Sequence, residues 1–155
     1  MYNHGERKQD SINIKYVLRF IAISFLYLLA GLIALISSIA QIIQITRDSI
    51  FILWFFGFVT MIIFGLSYMF VSGLSRSKAF VGKSINFEFF ALNTGVILFF
   101  LSFNLQSFYS SLKPLIFLGL FLILISVLAH VFNIIYMVKG KEKIAKKKSS
   151  QSEDY

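Results

Sequence analysis

Apolar residues fall into four long blocks along the chain, separated by short polar breaks, with polar residues gathered at both ends. A bilayer core about 30 Å thick is crossed by a helix of roughly 20 apolar residues. The blocks predict helices over about 17–45, 50–72, 86–107 and 114–139. Residues 1–16 form an N-terminal segment, 17–139 a membrane domain and 140–155 a tail. The fold class expected is an all-α integral membrane protein, a four-transmembrane-helix bundle. The first block exceeds the roughly 7 to 15 apolar residues of a secretory signal and no small-residue cleavage site follows it, so it is read as a helix.

Small and polar residues inside the blocks mark the faces that should meet other helices. Lipid cannot satisfy polar groups, and small side chains let backbones approach. In the first helix Ala30 and Ala34 form such a pair, while Gln41 and Gln44 share a face near its far end. In the second, Gly57, Met61, Gly65, Met69 and Gly73 recur every fourth residue, which places neighbouring members on a slowly drifting common face of glycine and adaptable methionine. That face suits ordinary helix packing first and a flat ligand second. Asn93 and Asn104 stand eleven residues apart on the third helix, in position for hydrogen bonds to a neighbour. Gly119, Ser126, His130, Asn133 and Met137 lie in a narrow sector of the fourth, expected to face protein.

Composition agrees: 57% of the 155 residues are hydrophobic and 17% aromatic, too oily for an ordinary soluble domain. The formal charge of +8 is informative through its placement. Arg7, Lys8, Lys15 and Arg19 precede the first helix, Arg76, Lys78 and Lys83 lie between the second and third, and six lysines from Lys139 to Lys148 follow the fourth. Only Arg47 and Lys113 occupy the other side. The positive-inside rule therefore predicts both termini in the cytoplasm, with the chain in the plasma (cytoplasmic) membrane. The tail is expected to be solvated, largely disordered and attracted to anionic lipid headgroups. It has no aromatic platforms for nucleic acid, which is not expected as a partner.

Candidate chemistry is sparse. The chain has no cysteine, hence no disulfide or thiolate site. There is no phosphate-cradling glycine loop and no metal motif. His130 reads as the single ionisable residue well inside a span, and intramembrane ionisable groups are functional candidates. An imidazole there can ligate heme iron, shuttle a proton or hydrogen-bond a quinone; a hydrogen-bonded structural histidine is the plainer reading. No second histidine lies in the spans, so a heme would need Met61 or Met69 as its other ligand. Glu88, beside the basic central connection, reads as a snorkelled interfacial residue.

Gly57, Phe58, Met61, Phe64, Gly65 and Tyr68, followed by a polar connection and then Phe89, Phe90, Asn93 and Gly95, resemble the second and third helices of the heme-copper oxidase (cytochrome c oxidase) subunit I superfamily, especially its short subunit I-like members. The likeness covers about a third of the chain. It implies a heme-ligating histidine before the glycine-rich part of the second helix, yet Ile50 to Phe56 contain none, Met69 follows Tyr68, and Ser72 or Gly73 stands near an expected proline. The implication is a scaffold that keeps the packing face without the heme site. The expected function is a non-enzymatic accessory subunit of a respiratory membrane complex, oxidase-related, without a cofactor and partnered by other membrane-complex subunits. The alternatives are a small b-type heme or quinone protein built on His130, a tetraspan adaptor acting through its Lys-rich tail, and, last for want of a mid-span carboxylate, a transporter.

Overall fold

The computed structural model describes residues 4–43, 45–74, 82–106 and 112–152, with side chains from 15 to 71 (residue 44 excepted), 82–106 and 112–139. The described chain is all-helical, and four of its helices are long and apolar enough to cross a membrane. They are α1 (His4–Ile39), a composite second span made of α2 (Arg47–Ile52), a π-helical segment (Leu53–Val59) and α3 (Thr60–Leu74), then α4 (Gly82–Leu105) and α5 (Lys113–Ser152). An apolar chain in lipid must satisfy every backbone polar group internally, and continuous helix does so. α1 packs along the second span, α4 along α5, and the two hairpins meet where α1 and α3 touch α4 and α5.

Each pairing closes where a side chain is missing. A methyl group at Gly95 would lie 2.9 Å from the Gly119 carbonyl, and one at Gly119 would lie 2.8 Å from Phe99 N, so α4 and α5 cross backbone to backbone there. Gly57 receives the Tyr27 ring and Gly31 the Trp54 indole. At the meeting of the hairpins Phe20 stands edge-on to Phe89, ring centroids 5.1 Å apart, and reaches Phe64 and Tyr68. Buried Met61, Ile85, Leu92 and Val96 complete this core.

Several sequence expectations are corrected. α1 ends at Ile39, short of residue 45, because Gln41 adopts a left-handed backbone (φ 55°) and Ile42 N–H turns back to the Ser37 carbonyl. Gln41 is therefore outside the helix; Gln44 lies outside the described residues. Ala34 is buried but Ala30 is exposed, and Gly31 is the small residue that packs beside Ala34. The common face of the second span drifts as expected and is lost by Met69: each step of four in α3 turns by about 40°, and Gly57, Met61 and Gly65 are buried while Met69 is 57% exposed. Gly73 lies in α3 beyond the described side chains.

α4 starts at Gly82, four residues before the expected point. α5 continues through the tail to Ser152, where disorder was expected. Lysine, alanine and glutamate have good helix propensity, and no proline interrupts the stretch. The π-helical segment was not foreseen. In it the Thr60 N–H reaches the Phe55 carbonyl five residues back, and the Thr60 hydroxyl donates to the same oxygen at 2.9 Å. Trp54, Phe56 and Phe58 of this segment are partly buried, with Trp54 against Gly31, Phe56 near Phe99 and Phe58 near Phe25.

Candidate functional site

Among the described residues, strongly polar side chains gather deep in the bundle at the contact between the hairpins, at α3, α4 and α5. Glu88 enters from α4, six residues after its first, about 9 Å along the axis. It is 0% exposed. This overturns both the snorkelled reading of Glu88 and the claim that His130 is the single ionisable group within a span. Lengthening α4 back to Gly82 places Glu88 in register with buried Ile85, Leu92 and Gly95, on the packing face. That register was the signal in the sequence.

Both carboxylate oxygens are engaged. Tyr68 donates its hydroxyl to Oε2 in a short hydrogen bond, and Asn133 Nδ2 donates to the same oxygen at 3.0 Å and to the Tyr68 oxygen at 3.1 Å. Oε1 lies 2.9 Å from His130 Nδ1. His130, 7% exposed, has its second nitrogen, Nε2, 2.7 Å from the Ser67 hydroxyl oxygen. Ser67 also donates to the Phe64 carbonyl at 2.9 Å, in its own helix. Ser84 donates to Asn133 Oδ1 at 2.7 Å, which fixes which way the amide points, and Ser126 donates to the Glu88 carbonyl at 3.0 Å.

Aromatic rings hold the imidazole in its plane. Phe64 stacks parallel to it with centroids 3.8 Å apart and an angle of 2°, and Tyr68 stands edge-on at 4.9 Å. A single helix, α3, thus holds the ring through Phe64 and Tyr68, while Glu88 and Ser67 take its two nitrogens. Breaking a buried pair of this kind by removing one member leaves an uncompensated polar group and costs about 3 to 5 kcal/mol.

The remaining candidates divide. Ser126 and Asn133 belong to the cluster, and Gly119, Gly95, Gly57 and Gly65 form close helix contacts. Asn93 accepts the Tyr27 hydroxyl on Oδ1 at 2.9 Å and so joins α1 to α4. Asn104 does not make the expected interhelical bond: its amide donates to the Phe100 carbonyl of its own helix at 2.8 Å, and Oδ1 is buried without a partner among the described residues. Tyr27, Ser67 and Ser84 are polar contributors that the sequence reading did not single out, and Tyr68 entered it only through the resemblance. Tyrosine and serine in an apolar block carry no distinctive pattern until the neighbouring helix is in place.

A heme does not fit these residues. Both nitrogens of His130 are already bonded within the chain, Met61 is fully buried in the apolar core, and Met69 is turned outward. No three His, Asp or Glu side chains gather as a metal site among the described residues. No family model, curated protein or solved structure matches the chain.

Proposed function

We propose that the protein is a non-catalytic four-helix subunit of a larger membrane complex, oxidase-related as the likeness of the second and third helices implies. It lies in the cytoplasmic membrane with both termini on the cytoplasmic side. The observation that supports this reading is the closure of the polar interior on itself. Glu88, His130, Tyr68 and Asn133 spend their hydrogen-bonding groups on one another and on Ser67 and Ser84, which makes the cluster a joint between hairpins.

Outward, the helices offer apolar surface. Phe117, Phe121, Leu124, Leu128 and Phe132 are exposed along α5, and Leu29, Ile33 and Ile36 along α1. In a bilayer such faces meet acyl chains or the apolar helices of a neighbouring subunit. Lys15, Lys83 and Lys139 lie at the ends of the apolar spans assigned to the cytoplasm, where anionic headgroups attract them.

The test is purification of the tagged chain from its own membranes in mild detergent, followed by identification of stoichiometric partners and a visible spectrum. Redox subunits in fixed ratio to this chain are expected. A stable isolated monomer or homodimer would overturn the proposal.

A further inference from the structure

The hydrogen inventory around His130 has two solutions that differ by one proton. Ser67 has a single hydroxyl hydrogen but two neighbours that can take it, the Phe64 carbonyl at 2.9 Å and His130 Nε2 at 2.7 Å. When the hydroxyl points at Phe64, Nε2 must carry a hydrogen and donate to Ser67. Nδ1 and Glu88 Oε1 then share one proton across 2.9 Å, as imidazolium and carboxylate or as imidazole and carboxylic acid. Counted either way, Glu88 and His130 together carry no net charge.

In the second solution the Ser67 hydroxyl rotates to donate to Nε2. The imidazole keeps its hydrogen on Nδ1, donates it to the Glu88 carboxylate, and the pair holds one proton fewer. Tyr68 and Asn133 donate to Oε2 in both solutions. No heavy atom has to move, and none is free to: the imidazole is stacked on Phe64 and flanked edge-on by Tyr68.

We propose that Glu88, His130 and Ser67 form a proton-binding site within the membrane spans, which releases and rebinds one proton by rotation of the Ser67 hydroxyl. In release, the Nε2–H bond breaks and the proton passes to water. In uptake, Nε2 regains it and the hydroxyl returns to the Phe64 carbonyl. The site is nearer the Gly82 end of α4, and Ser84 and Asn133 tie the Glu88 carboxylate to that end.

The surroundings are suited to a small change in charge. α1 contributes Arg19, whose guanidinium lies 4.6 Å from the centroid of Phe89, next in sequence to Glu88, and donates to Asn86 at 3.1 Å. α1 also contributes partly buried Tyr16, and α3 contributes Tyr68. Lys83 on α4, and Tyr136 and Lys139 on α5, are exposed toward the ends of the apolar spans. Arg19 is thus the cation that α1 brings beside this part of α4. This inference stands on the hydrogen-bond geometry and holds whether or not the chain belongs to an oxidase-like complex.

The experiment is a pH titration of the full chain in lipid nanodiscs, labelled with ¹⁵N in histidine and ¹³C in the phenylalanine carbonyl, and read by solid-state NMR. The His4 signal is identified by its loss in His4→Asn. Expected for His130 is loss of the Nε2 proton alone, with Nδ1 protonated throughout, accompanied by a shift of the Phe64 carbonyl as Ser67 lets go. In Ser67→Ala the carbonyl shift should vanish. In Glu88→Gln, which keeps the shape, the Nδ1 resonance should move as its carboxylate partner is replaced by an amide. A His130 ring that keeps one protonation state across the accessible pH range would overturn the proposal, as would loss of the Nδ1 proton first, or an Nδ1 resonance unmoved in Glu88→Gln.

Discussion

Replacing Gly119 by alanine tests the backbone crossing of α4 and α5. The added methyl would meet Phe99 N at 2.8 Å, the Gly95 carbonyl oxygen at 2.9 Å and Phe99 Cβ at 3.0 Å. Two of those atoms are backbone and cannot rotate away, so α5 must withdraw from α4 by about half an ångström, and overpacking of this kind costs about 1 to 3 kcal/mol. Alanine returns about 1 kcal/mol of helix propensity. The net loss expected is about 0 to 2 kcal/mol, with the contacts around Ile123 loosened alongside.

Gly65 supplies the control. A methyl there would meet Phe20 Cβ at 3.2 Å, Ile21 Cγ1 at 3.3 Å and the Val17 carbonyl at 3.5 Å, distances that small side-chain adjustments can relieve. Gly65→Ala should therefore be neutral or gain up to about 1 kcal/mol. Thermal unfolding in detergent, followed by circular dichroism, should place Gly119→Ala below Gly65→Ala by several degrees, at about 2 to 4 °C per kcal/mol. A Gly119→Ala protein more stable than Gly65→Ala would refute the close crossing.

Tyr27→Phe removes the donor to Asn93 Oδ1 and should cost about 0.5 to 1.5 kcal/mol in the same assay. Asn133→Ala strips hydrogen bonds from Glu88, Tyr68 and Ser84 together and should cost more than Asn104→Ala, whose side chain bonds only its own helix; similar losses would mean that the Asn133 bonds do not form. Deleting residues 142–155 should leave membrane insertion intact, read by fractionation and alkaline extraction, because the apolar spans end by Lys139.

The spans were legible because twenty-residue apolar blocks admit few alternatives in a bilayer. His130, Asn133, Ser126 and Gly119 were legible as a seam because helical periodicity puts them in one sector. Glu88 was not. Its character depended on where α4 begins, and a four-residue shift of that start converts an interfacial position into a core one. Ser67 and Tyr68 needed α5 beside α3 before they could be seen as partners of an imidazole and a carboxylate. The drift of Met69 off the glycine face followed from helix geometry itself: a repeat of four is not a repeat of 3.6. The early end of α1 rests on the positive φ of Gln41, a conformation that this residue type gives no reason to expect.

The interior pairing of Glu88 with His130 is the claim on which the rest depends, and a double-mutant cycle measures it. Glu88→Ala, His130→Ala and the double variant would be unfolded by added denaturing detergent in mixed micelles. Each single variant should lose about 3 to 5 kcal/mol, because each strands a buried partner, and the double variant should lose little more than the worse single, a coupling of at least about 2 kcal/mol. Losses that simply add, to within about 0.5 kcal/mol, would show that the two side chains do not meet inside the bundle.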